Sequence, residues 1–267
     1  MIFMKRFITL SSGSNGNCYC LSSEDHTILI DAGIGVRTIK KRLADHDIDI
    51  RSVEMILITH DHADHVRGLG KLAQSLSVPI FTTSVLHNAL SNYGYIDESL
   101  SGCVRVVRVG AVFEHRGVKF YPFEVPHDAT QTLGYYIDFC GTKITVMTDL
   151  GYVPQRGILC ASNSDYVVVE SNYDVEMLLN GPYPAELKKR VLGEWGHLSN
   201  EDCASALQNY YHKGLKGIFL CHLSKENNTP ELALEATRRR VDYLKVNYEN
   251  EPLLAVLPRS ESAEFIL

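Results

Sequence analysis

Thr59-His60-Asp61-His62-Ala63-Asp64-His65 follows the apolar run Met55 to Ile58 without a break and leads into a helix-like segment, Val66 to Leu76. A short apolar run with no polar alternation suits a strand buried on both faces. The motif therefore occupies a strand-to-helix turn, where successive side chains diverge. Three imidazoles and two carboxylates in seven residues are costly to crowd together without cations. His60 and His62, one residue apart, are spaced to point to one side and chelate one ion. Asp64 and His65, where the helix begins, are placed to serve a second. Mixed nitrogen and carboxylate donors suit Zn²⁺, Mn²⁺ or Fe and do not suit Ca²⁺.

Outward from the motif, strands and helices alternate. Upstream, Arg6 to Leu10, Cys18 to Ser22 and Thr27 to Ile30 read as short strands joined by a Gly/Ser/Asn loop and a polar turn. Val36 to Ala44 reads as a helix with Val36, Ile39 and Leu43 on one face. Downstream, helix-like Val85 to Tyr93 follows a strand at Pro79 to Thr82, and strands return from Val104 to Met147. They include Val118 to Val125, Leu133 to Phe139 and Lys143 to Met147, with Tyr166 to Val169 a further buried one. The last third reads as helical around one strand, Ile218 to Cys221. Ser199 and Asp202 form a capping signature there, and Thr229 and Pro230 suit the start of a helix running to about Val246. Two strand-rich halves, each followed by helices, imply an α/β protein of four layers, two mixed sheets packed face to face with helices outside.

The bulk properties agree. The chain has 267 residues, 45% hydrophobic and 22% charged, which excludes wholesale disorder, collagen and coiled coil. No repeat, low-complexity tract or linker interrupts it, so residues 1–267 are expected to form a single domain. The net charge of −6 excludes a globally basic nucleic-acid footprint, and eleven histidines point toward metal chemistry. Seven scattered cysteines without a C-x-x-C pair indicate neither a disulfide framework nor a Cys-rich zinc site. Met1 to Thr9 lacks the apolar core of a signal peptide, and no stretch reaches the length of a membrane span. A cytoplasmic protein without a membrane partner is expected.

Further candidate metal ligands stand at strand ends: His127 after Val125, Asp149 after Met147, His222 after Cys221. With Asp31 in Leu29-Ile30-Asp31-Ala32-Gly33 and the His60 to His65 run, they form five motifs in order. In this the chain resembles the metallo-β-lactamase-fold hydrolases over nearly its whole length. The resemblance implies an αββα sandwich with two divalent ions along one edge. It implies that His60, His62 and His127 hold one ion and Asp64, His65 and His222 the other, with Asp149 bridging and Asp31 orienting a ligand from outside the set. Asp64 then counts among the catalytic residues.

That superfamily hosts many reactions, and local features narrow the choice. Glu170, after the strand Tyr166 to Val169, and His197, in Gly196-His197-Leu198-Ser199-Asn200, resemble the proton-donating pair of ribonuclease Z-like and β-CASP nucleases. A carboxylate-oriented imidazole can protonate the oxygen leaving phosphorus, which a thiolate leaving group needs less. The loop Ser11-Ser12-Gly13-Ser14-Asn15-Gly16-Asn17 can turn backbone N–H groups toward a phosphate, making Ser14, Asn15, Gly16 and Asn17 candidate phosphate contacts. That loop and His222-Leu223-Ser224-Lys225-Glu226-Asn227-Asn228 resemble one bacterial branch, the YycJ (WalJ) proteins, associated with 5′-to-3′ DNA exonuclease activity. The short spans between Asp149, Glu170 and His197 leave no room for an inserted β-CASP domain. No long Gly/Pro-rich arm of the ribonuclease Z type is present. Basic groups at Arg37 with Lys40 to Arg42, Lys188 to Arg190 and Arg238 to Arg240 are solvated helix faces or backbone grips. The expectation is a dinuclear phosphodiesterase acting on DNA through a metal-bridging hydroxide. The alternatives are a thioesterase or lactonase of the same fold and a ribonuclease Z-like RNA nuclease.

Overall fold

The computed structural model describes residues 4–94, 96 and 100–267; the first three residues of the N-terminal stretch read above lie outside these. Two compact units emerge, Met1–Val109 with Ala129–Gln131 and Pro258–Leu267, and Gly110–Asp128 with Thr132–Leu257. The first unit holds β1 (Arg6–Ser11), β2 (Cys18–Ser22), β3 (Thr27–Ile30), α1 (Val36–Ala44), β4 (Met55–Leu57), α2 (Ala63–Val66), α3 (Leu69–Leu76), β5 (Ile80–Thr82), α4 (Ser84–Ser91) and β6 (Val104–Val106). The chain's last strand, Ala263–Ile266, returns to it and opens the sheet order, followed by β1 to β6 in sequence. Pairing is antiparallel as far as β3 and parallel from β3 to β6. Ile8, Leu10, Cys18, Cys20, Leu29, Ile56 and Ile80 share one buried cluster with Ile39 and Leu43 of α1 and Leu69, Leu72 and Ala73 of α3. Burial of the Ile and Leu side chains among them, at about 1.5–3 kcal/mol each, ties the helices to the sheet.

The second unit holds β7 (Phe113–His115), β8 (Val118–Glu124), β9 (Leu133–Phe139), β10 (Thr142–Met147), α5 (Gln155–Ala161), β11 (Tyr166–Glu170), α6 (Val175–Asn180), α7 (Ala185–Leu192), α8 (Asn200–Ala206), β12 (Gly217–Cys221), α9 (Pro230–Tyr248) and β13 (Leu253–Val256); the last strand is β14. Its order, β13-β12-β11-β10-β9-β8-β7, repeats the plan of the first sheet. Pairing is antiparallel from β7 to β10 and parallel from β10 to β13. Met147, Val167, Val169, Ile218 and Leu220 cluster with Cys203, Leu207, Ala233, Val241 and Leu244 from the helical segments. Among the described residues no helix is long and apolar enough to cross a membrane.

The mixed sheets with helices agree with the α/β expectation, and the differences have local causes. The expected helix Val66 to Leu76 is two, α2 and α3, because the Gly68 N–H donates to Ala32 O (2.8 Å) and draws the chain out of line between them. The last third carries β13 and β14 in addition to the one expected strand. Leu253–Val256 is apolar throughout but only four residues long and partly exposed, and Ala263–Ile266 is interrupted by Glu264, so pattern alone marks neither as a strand. Helices α5, α6 and α7 are additional to the expected ones; each is at most eight residues long, too short for a clear apolar stripe, and starts after Pro154, Asp174 or Pro184. The expected caps are present: Ser199 accepts from the Asp202 N–H, and Thr229, followed by Pro230, accepts from the Leu232 N–H.

Candidate active site

Most of the candidate residues stand at or just after strand ends, and each unit has a cluster of its own. In the first unit β3 stops at Ile30 and the next residue, Asp31, takes the left-handed conformation at φ 60°. Its fully buried carboxylate accepts three hydrogen bonds, from Thr59 N (2.8 Å), Thr59 Oγ (2.7 Å) and His65 Nδ1 (2.7 Å). Because His65 gives its Nδ1 proton to Asp31, its Nε2 carries the lone pair. Thr59 donates its hydroxyl proton to Asp31, so its oxygen is an acceptor for His60 Nδ1 at 3.1 Å, which again leaves the lone pair on Nε2. The His60 ring lies 4.7 Å from that of His62 and 4.0 Å from that of His65. The three imidazoles thus stand side by side.

Backbone contacts fix this group. The Asn17 N–H donates to Asp64 O (2.7 Å) and the Gly33 N–H to Asn17 O (2.8 Å). A Cβ on Gly33 would stand 1.7 Å from Asp64 O, so no other residue allows this approach. The Asn17 amide lies 2.9 Å from His65 Nε2 and 3.3 Å from Asp64 Oδ2, while its oxygen accepts from Gly13 N. Of the loop read as a phosphate cradle, Gly16 and Asn17 are therefore buried and Asn17 braces the histidine cluster. Ser14 and Asn15 are exposed. Asp61, the motif carboxylate left without a role, accepts from the N–H and hydroxyl of Thr130.

In the second unit Glu170 is the last residue of β11 and is fully buried. Its Oε1 lies 2.8 Å from both His197 Nδ1 and His222 Nδ1, and its Oε2 accepts from Leu150 N (3.0 Å) and Leu198 N (3.1 Å). The Glu170–His197 pair read from sequence is present, and the same carboxylate orients His222 as well, which the sequence did not signal. Asp149 and His222 both leave their strands in the left-handed conformation, at φ 58° and 53°. Asp149 accepts from Thr148 Oγ, and its Oδ1 stands 3.2 Å from His222 Nδ1. Asn172, also unread in the sequence, donates to His222 O (2.8 Å). His127 donates through Nδ1 to Gly196 O (2.9 Å), leaving Nε2 as the basic atom, 3.8 Å from Asp149 Oδ1.

The electrostatics follow. Burial pulls the His127 pKa below its usual value and outweighs the nearby Asp149, so the ring stays neutral and keeps a lone pair for a cation. Burial also disfavours the charged form of His197, but the Glu170 carboxylate, its hydrogen bond and Asp149 together win and raise its pKa. Burial works against ionised Glu170 too, and is overcome by His197 and by hydrogen bonds from both histidines, which lower its pKa. Asp149, Glu170, His197 and His222 each offer a ligating atom, all within 4.8 Å of one another. Nitrogen and carboxylate donors with fixed tautomers fit a divalent transition metal.

Comparison with known proteins agrees with this chemistry. Residues 26–216 match the Beta-lactamase superfamily domain. Over 229 residues the chain is 35% identical to exodeoxyribonuclease YycJ of Bacillus anthracis, covering 85% of both proteins. Over 228 residues it is 35% identical to exodeoxyribonuclease WalJ of Streptococcus pneumoniae, again with 85% of each covered. Among solved structures, the metallo-β-lactamase fold protein YhfI from Bacillus subtilis aligns with a TM-score of 0.70 at 13% identity, covering 98% of this chain and 100% of that one. A diphosphatase from the PhnP family aligns with a TM-score of 0.66 at 18% identity, covering 100% and 99%. At such identities these two structures speak for the fold.

Proposed function

The chain belongs to the metallo-β-lactamase superfamily of hydrolases, and from that premise we propose that it is a metal-dependent phosphodiesterase that degrades DNA from the 5′ end. The observation that carries the reading is the Glu170–His197 pair, a buried carboxylate holding a partly exposed imidazole. An alkoxide leaving phosphorus needs a proton, and a positioned acid contributes about 10²–10⁴-fold to that step. Glu170 holds His197 by Nδ1, so Nε2 presents the proton. Against the pull of burial, the Glu170 carboxylate raises the His197 pKa, which favours the protonated ring. The names of the YycJ and WalJ relatives support DNA as the substrate over RNA or a small ester.

His60, His62 and His127 would hold one ion and Asp64, His65 and His222 a second, with Asp149 shared, and Zn²⁺ or Mn²⁺ suits the mixed donors better than a hard cation. Two such ions would supply an activated water and neutralise charge building on the phosphoryl oxygens. Asp31 holds His65 in the ligating tautomer and Glu170 does the same for His222. Ser14 and Asn15, exposed at the tip of their loop, remain the phosphate contacts of this reading. The family match runs across both compact units, which supports one hydrolase domain without an inserted β-CASP domain. Six buried cysteines suit the reducing cytoplasm in which such a substrate lies.

The test is hydrolysis of 5′-labelled and 3′-labelled duplexes with added Mn²⁺ or Zn²⁺, comparing wild type with His197→Ala. The expected result is release of 5′-terminal products by wild type and a loss of about 100-fold or more in the variant, with metal content retained. Loss of metal from His197→Ala would make His197 a ligand instead. Thioester hydrolysis with no DNA cleavage would replace the phosphodiesterase reading by the thioesterase one.

A further inference from the structure

The chain has one tryptophan, and it lies at the surface: Trp195 is 61% exposed, two residues before His197. Single exposed aliphatic residues need no explanation, but an indole left in water beside a candidate acid calls for one. The segment that carries it is hydrogen-bonded along its length. The Gly196 N–H donates to Gly193 O (2.8 Å) and the His197 N–H to Val191 O (3.0 Å). Gly196 O accepts from His127, and the Leu198 N–H donates to Glu170 Oε2. A second aromatic side chain starts alongside. A Cβ on Gly151 would stand 2.1 Å from Glu194 O, so the two backbones touch, and the next residue, Tyr152, is 51% exposed. Among the described residues neither ring stacks on another aromatic.

The same stretch carries the basic group Lys188 to Arg190, to which the catalytic reading gives no role. It lies in the last two turns of α7, whose end at Leu192 is separated from Trp195 by Gly193 and Glu194. Lys188 donates to Leu179 O and Arg190 pairs with Asp128, while the Lys189 side chain is exposed. A cation, an exposed indole and a proton-donating imidazole thus follow one another in sequence along this hydrogen-bonded segment. They are the groups that a phosphate, a base and a leaving oxygen require in turn.

We propose that Trp195 is a base-stacking platform, on which a nucleobase beside the scissile phosphate lies, with Tyr152 flanking it and Lys189 on the backbone phosphate. The inference rests on the phosphodiesterase reading and specifies its substrate: a strand end whose bases are unstacked from the duplex. Stacking uses the π-face that every base has, so cleavage is indifferent to sequence.

The lone tryptophan is also the probe. The metal-loaded full-length enzyme is titrated with an oligonucleotide whose terminal linkages are phosphorothioates, and tryptophan emission is followed. Quenching is expected with the normal strand and not with an abasic strand of equal length. On cleavable DNA, Trp195→Ala raises KM about tenfold with kcat within about twofold, and Trp195→Phe restores most of the affinity. An abasic nucleotide at the cleaved end raises KM for wild type and leaves that of Trp195→Ala unchanged. If wild type degrades DNA and Trp195→Ala has the same KM on intact strands, the platform is excluded and the hydrolase reading stands. A fall in kcat alone, or a change of oligomeric state in Trp195→Ala, also excludes it, the latter making Trp195 part of a self-association surface. If wild type degrades no DNA, the phosphodiesterase reading falls and takes the platform with it.

Discussion

Glu170 orients two imidazoles with one oxygen and anchors two backbone N–H groups with the other. Replacing it therefore differs in kind from replacing His197. Glu170→Gln keeps the shape but gives up the charge that holds both rings and forces an amide N–H toward a donor. Its activity should fall at least as far as that of His197→Ala. In addition, its metal affinity should weaken by roughly 10–100-fold, the usual effect of losing the partner of a ligating histidine. A metal titration read by elemental analysis, beside kcat, separates the two variants. Wild-type metal affinity in Glu170→Gln would mean that Glu170 does not position His222. This double duty was not legible in the sequence. Residue types at strand ends announce themselves, so His127, Asp149, Glu170 and His222 stand out one by one, and His197 does so by its Gly-His-x-Ser loop. A side chain's partners depend on the backbone around it. Asn17, read as a phosphate contact, braces His65 because the approach of Gly33 to Asp64 brings their loops together.

At the scale of elements, β14 closes an edge. It pairs with β1 from Arg6↔Ile266 to Thr9↔Ala263, and Glu264 lies 3.6 Å from Arg6 and 3.0 Å from His46. Upstream of it, Arg259 O accepts from Ser11 Oγ (2.8 Å), and Arg42 donates to both Leu10 O and Ser260 O. Deleting residues 258–267 would leave β1 as an open edge with unpaired backbone groups, a template for pairing with other chains. The truncated protein should melt roughly 5–10 °C lower and aggregate at concentrations where the full chain stays monodisperse. Scanning calorimetry and light scattering check this, and an unchanged melting point would show that β14 adds nothing to the sheet. Yet β14 was invisible in the sequence, while Cys18–Ser22, Thr27–Ile30, Val36–Ala44 and Leu133–Phe139 have the bounds expected of them. Those four are apolar or amphipathic runs closed by turn residues, so local chemistry decides them. The strand Ala263–Ile266 is partly exposed, and only its long-range partner makes it a strand.

On the scale of the whole molecule, each unit keeps histidines and carboxylates at the carboxyl ends of its strands, and the backbone is strained to do so. Asp31, Asp149 and His222 are three of the eight non-glycine residues at positive φ among those described. Such conformations cost on the order of 1–3 kcal/mol each and persist where function over-determines them. A folded chain that holds this strain, together with crowded imidazoles and buried carboxylates, gains from a cation that binds only the native state. At a metal concentration about 100-fold above the dissociation constant that gain is roughly 2.7 kcal/mol. For a chain of this size, that corresponds to about 5–10 °C in melting temperature. Stripping the protein with a chelator should lower the melting point by that amount. Adding Zn²⁺ or Mn²⁺ should restore it in a concentration-dependent way, while Ca²⁺, which prefers all-oxygen ligands, should not. His65→Ala removes a proposed ligand together with the partner of Asp31, and its melting point should no longer respond to added metal as wild type does. A melting temperature equal with and without metal, in protein that elemental analysis shows to be loaded and then stripped, would refute the coupling of this site to the fold.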